Sequence, residues 1–199
     1  ITITGANALV VGTSTNIKAS MSNYPIGSTI SKIQVSGNTT LKSATGSTDN
    51  LTVSSVTPNA SGKNGITVTV TVKFGTGGTK DYTYTYNVTP PAVNNFKVIA
   101  SNVVSGTGTS GDPYVIACGK TTTLTVSGSK ASTDANSSLY AKFGSDAYTS
   151  TLTKTLTPSS TKQSVQVKAK YYNSKDDLSG AETTTQTIYY RAQTFAVNI

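Results

Sequence analysis

The most regular stretch of the chain runs from Ile66 to Phe74, where Ile66, Val68, Val70, Val72 and Phe74 fall on one side and Thr67, Thr69, Thr71 and Lys73 on the other. A period of two is the mark of a strand with one face buried. GTGGT follows at 75–79. KDYTYTYNV then alternates again, with Tyr82, Tyr84, Tyr86 and Val88 opposite Thr83, Thr85 and Asn87. Two alternating runs across a short Gly-rich connection predict a β-hairpin. The tyrosine ladder should pack toward the core with its hydroxyls near the rim.

Upstream, the same pattern predicts strands at Ile1–Thr4 with Leu9–Val11, at Asn16–Met21, at Thr29–Val35 and at Leu51–Val56. With the hairpin, this makes about seven short strands in about 90 residues, the density of an immunoglobulin-like sandwich. No segment sustains a helical period of 3.6. At Thr89-Pro90-Pro91-Ala92 the alternation breaks, because consecutive prolines donate no ladder hydrogen bonds and stiffen the backbone. A domain boundary is predicted there.

The second half repeats the grammar of the first. GTSTNIKAS from Gly12 is matched by GKTTTLTVS from Gly119, and VTPNASGKNGITVTVTVKF by LTPSSTKQSVQVKAKYY. In the second pair Val165, Val167, Ala169 and Tyr171 take the inward positions. The loop NSKDDLSGAE is longer than its counterpart, and the last strand, within TTTQTIYYRAQTFAVNI, has length enough for a bulge or to continue toward another domain. The chain is therefore read as all-β, two tandem immunoglobulin-like β-sandwich domains at 1–90 and 91–199.

These units, with the segment IACGKTTTLTVSG and the closing VTVTVKF hairpin, resemble bacterial immunoglobulin-like tandem repeats of secreted and cell-surface, adhesin-type proteins. The resemblance covers nearly the whole chain and rests on pattern more than on invariant motifs. It implies extracellular display and scaffolding, with adhesion or glycan binding in some members. The chain has no Trp and one Cys, so the Cys pair and core Trp of antibody-type domains are missing.

Composition narrows the chemistry. Thr (37) and Ser (26) make up about a third of the 199 residues, and there is no His. General-base catalysis through imidazole is excluded, and a Ser or Cys nucleophile lacks its usual activating partner. Cys118 has no disulfide partner and is expected to be buried or half-buried and inert. The carboxylates fall in apparent turns. Asp176, Asp177 and Glu182 share one loop, but without the D-x-D-x-D-G spacing of a calcium loop. No enzyme activity, metal or cofactor is expected.

The net charge is +8, from 16 bases of which only Arg191 is an arginine. Each half carries +4: six bases against two acids in residues 1–90, ten against six in 91–199. Scattered lysines suit solvated strand faces and protected edges better than a nucleic-acid surface, which leans on Arg forks. No specific nucleic-acid partner is expected. Nor does any stretch approach the ~18 apolar residues of a membrane helix. The chain begins without Met or a basic leader, so an export signal is expected to lie outside it. The predicted product is an exported, extracellular or cell-surface monomer whose partner is a protein or a glycan on a surface. Tyr172 and one of Tyr189 or Tyr190 should face away from the core. Tyr172 and Tyr189 are the candidate ligand-binding residues, since an exposed phenol ring can stack on a sugar.

Overall fold

The computed structural model describes residues 1–195. Among these no helix forms, and the chain divides into two compact units. The first comprises Ile1–Pro91 together with Ala131–Ser137 and Tyr172–Gly180; the second holds the remainder.

In the first unit the strands are β1 (Thr2–Thr4), β2 (Leu9–Val10), β3 (Thr15–Ser20), β4 (Ser28–Gly37), β5 (Lys42–Thr48), β6 (Asn50–Val56), β7 (Gly62–Phe74) and β8 (Thr79–Thr89). One sheet has the order β1-β3-β6 and the other β2-β8-β7-β4-β5. The short β2 runs parallel to the final strand β8, whereas the other pairs are antiparallel. This division of the first strand between the two sheets, with its second part parallel to the last strand, gives the unit its immunoglobulin-like topology.

The alternation read from sequence decides what is buried. Ile66, Val68, Val70 and Val72 of β7 are fully buried, among Ile30, Ile33 and Val35 of β4 and Ile17, Val53 and Val56 of the facing sheet. Tyr86, Tyr84 and Tyr82 stand directly across from Ile66, Val68 and Val70. All three are half-buried, with Tyr82 and Tyr86 packed against the core. That is the rim position expected of an aromatic ring carrying a hydroxyl.

The second unit builds the same plan from β9 (Val93–Ala100), β10 (Val103–Ser105), β11 (Tyr114–Ile116), β12 (Thr122–Lys130), β13 (Ser138–Phe143), β14 (Thr153–Leu156), β15 (Gln163–Asn173, whose last two residues fall in the first unit) and β17 (Gln186–Ala192), while β16 (Leu178–Ser179) belongs to the first unit. The sheets have the orders β14-β12-β9 and β10-β11-β17-β15-β13, with β16 added to the end of β15. Here β11 takes the place of β2, parallel to the final strand β17. The core is Val98, Leu124, Val126, Ala141, Phe143, Val167, Ala169 and Ile188. β17 pairs with β15 from Gln186 to Tyr190 without a change of register, so the bulge allowed by its length is not used. Residues 196–199 lie outside the described part.

One expectation is corrected. Cys118 is exposed, not buried or half-buried. It lies in the turn between β11 and β12, where the Lys120 amide donates to the Ala117 carbonyl (3.1 Å) and Gly119 has φ +69°. The alternating burial that the sequence suggested resumes only at Thr122, where β12 begins.

Candidate functional site

In the second unit the alternation of β15 sends Val167, Ala169 and Tyr171 into the core and leaves Gln166, Lys168 and Lys170 on the outer face. Neighbouring β13 buries Ala141 and Phe143, so Lys142 between them points outward as well. The chain beyond β13 turns at Gly144, which has φ +62°, and folds back along the strand. There the Ala141 and Thr149 amides and carbonyls exchange hydrogen bonds of 2.9 and 3.0 Å. This return places Tyr148 beside Lys170, whose Nζ lies 4.5 Å from the centre of its ring.

Lys142, Gly144, Gln166, Lys168 and Glu182 line an open pocket of about 160 Å³. Lys168 Nζ donates to Glu182 Oε2 at 3.1 Å. That hydrogen bond, followed by the nearby Tyr148 hydroxyl, holds the Glu182 carboxyl below its ordinary range, and the charges of Lys168 and Lys170 add to the effect. Tyr148 shifts the other way, because burial and then the Glu182 charge disfavour its phenolate. Although it lies near Glu182, the buried Tyr148 oxygen makes no hydrogen bond of ordinary geometry.

Lys168 and Lys170 thus act on a single carboxylate, while Lys142 lines the same pocket and has no ion-pair partner among the described residues. An excess of lysine charge over the single carboxylate suits the pocket to hold an anion.

The two tyrosines singled out from sequence have other settings. Tyr172, at the end of β15, belongs to the first unit and is half-buried; its hydroxyl donates to Asp177 Oδ1. Tyr189, in the second unit, is half-buried while Tyr190 is buried. Lys162 Nζ lies 5.6 Å from the centre of the Tyr189 ring and donates to the Ser110 carbonyl at 3.2 Å. The carboxylates of the 176–182 loop are each engaged separately: Asp176 by Asn173, Asp177 by Tyr172 and Glu182 by Lys168. Among the described residues no group of three or more His, Cys, Asp or Glu side chains could hold a metal ion, and no helix is long and apolar enough to cross a membrane.

No protein-family model matches the chain, and no curated protein matches it in sequence. Among solved structures it is similar to the crystal structure of murine CEACAM1b, with a TM-score of 0.47 and 13% identity over 94% of this chain and 96% of that one. The immunoglobulin-like architecture stands on the chain's own sheet order and cores.

Proposed function

We propose that this chain is a non-enzymatic structural or adhesive segment of an exported bacterial cell-surface protein, which displays or spaces a binding surface. The observation that carries this reading is the repetition itself. One two-sheet plan is built twice on two aliphatic cores, with its polar side chains spent on faces and turns. Rigid sandwiches of this kind leave loops and sheet faces for contact. Protease treatment of intact source cells tests it: the segment should be cleaved or labelled without lysis. Complete protection until the cells are broken would exclude surface display.

A second reading, a carbohydrate-binding protein of a polysaccharide-capture system, is favoured by the cationic pocket lined by Lys142, Gln166 and Lys168. Decoration of a phage or pilus would use the same architecture.

The folding units are proposed to be residues 1–90 and 91–199, each with its own core. Expressed separately, both should melt cooperatively. Residues 1–90 should melt lower alone than within the whole chain, because the partners of buried Ser61 come from 131–137 and 172–180. Disorder of both pieces would refute independent folding.

A further inference from the structure

We infer that the pocket between β13 and β15 in the second unit is a binding site for a carboxylated glycan, one carrying uronic-acid residues. This deepens the carbohydrate-binding reading above and rests on it. The pocket already binds a carboxylate, its own. Glu182 is held by Lys168 at 3.1 Å, and both surrounding cations and a neighbouring phenol favour its charged form. The excess of lysine charge over this one carboxylate leaves the pocket with a net positive charge, and Lys142 in its wall is placed to meet a further anion.

A volume of about 160 Å³ is many times the ~10–15 Å³ that a single water needs. It admits a carboxylate together with part of a sugar ring. Beside the charges stands a neutral group suited to sugar hydroxyls, the Gln166 amide lining the pocket.

The chemistry favours an acidic saccharide over nucleic acid. Every cation of the pocket is a lysine, a compact point charge without the planar fork that reads phosphate and guanine edges. Glu182, bonded to Lys168 in the pocket wall, would repel a continuous phosphate backbone, whereas a single uronate can displace it from Lys168. Glu182 is therefore an internal competitor. Its removal should strengthen binding even though it deletes a polar group from the site.

The test is titration of the whole chain with oligogalacturonate, followed by calorimetry and by NMR shifts of the lysine and tyrosine side chains. The fully methyl-esterified oligomer, a sulfated oligosaccharide and duplex DNA serve as comparisons at the same salt. Binding should be weak and salt-sensitive, as for exposed charges. Lys142→Ala and Lys168→Ala should each weaken it about three- to tenfold, and Glu182→Gln should strengthen it by a similar factor. Lys97→Ala, on the exposed side of β9 in the other sheet, should change nothing. Unchanged melting of each variant verifies the fold.

Four results would overturn the inference: no binding, equal binding of the esterified oligomer, equal loss in Lys97→Ala, or equal or tighter binding of DNA or of the sulfated oligosaccharide. None of them bears on surface display, which is decided by the protease experiment. A protected, intracellular chain would in turn sink the display reading without touching the pocket's affinity.

Discussion

Replacing Val70 by Asp should unfold the first unit, while Thr69→Asp next to it leaves the unit folded. Val70 is fully buried in the middle of β7, with Ile33 of β4 on one side and Tyr82 of β8 on the other. A carboxylate there has no basic partner and faces aliphatic groups of both sheets. Losing the valine contacts and burying an unpaired acid, even one that takes up a proton, costs about 4–5 kcal/mol or more. Total stabilities are only ~5–15 kcal/mol. Thr69 faces the other way, half-buried between Gln34 and Thr83, where the same substitution should cost under ~1 kcal/mol. Hydrogen exchange of the β7 amides reads the difference, with β15 as an internal reference in the second unit. Comparable loss of protection from both substitutions would mean that the buried face has been misidentified.

The period-two pattern was legible because it records which face is buried, and the burial of Ile66, Val68, Val70 and Val72 follows it residue for residue. It is silent on which strands are neighbours. Hence the parallel pairing of β2 with β8 and of β11 with β17 was not foreseen, for each of these short strands has only two or three residues. β5 was missed for a different reason. Its sequence, KSATGST, offers only Ala44 and Gly46 at alternate sites, and its extended form depends on pairing with β4 at the sheet edge. A strand without an apolar face carries almost no signal of its own.

The candidate site was half visible. In VQVKAKYY the outward positions are Gln166, Lys168 and Lys170, and in LYAKF one of them is Lys142, so alternation alone puts all four on outer faces. A basic strand face in isolation reads as solvated surface. Only the adjacency of β13 and β15, and the turn of the chain at Gly144, make it a pocket. In the sequence, Tyr172 and Tyr189 stand out only by their outward orientation. Orientation does not reveal that Asp177 engages the hydroxyl of one and that Lys162 lies over the ring of the other.

Asp134→Ala should be among the most damaging polar substitutions, although sequence marks this residue as an ordinary turn former. The side chain is 1% exposed. Its Oδ1 accepts from the amides of Ser61 (3.1 Å) and Asn136 (3.0 Å), and its Oδ2 from the Ser137 hydroxyl (2.6 Å). Asn136 Nδ2 closes the cluster by donating to the Ser61 carbonyl at 2.7 Å. Burial by itself would raise the Asp134 pKa, but the hydrogen bonds from Ser137, Ser61 and Asn136 outweigh it and hold the carboxyl below its ordinary 3.8.

Alanine leaves the fully buried Ser61 amide and the Ser137 hydroxyl without that acceptor, at a cost of about 2–4 kcal/mol. The substitution Asp134→Asn is not neutral but is gentler: the remaining side-chain oxygen can still serve the two amides, and Ser137 can turn to accept from the new NH₂.

A carboxyl whose pKa is lowered by folding contributes stability that is complete above its unfolded value near 4 and is lost as pH falls from there through the folded value. Urea unfolding of the wild type and of Asp134→Asn, followed from pH 7 to pH 2.5, should therefore converge in the acid range, because protonation removes the advantage of the aspartate. A difference between the two proteins that stays constant over that range would show that Asp134 is not the titrating group and that its anionic charge is not what the cluster holds.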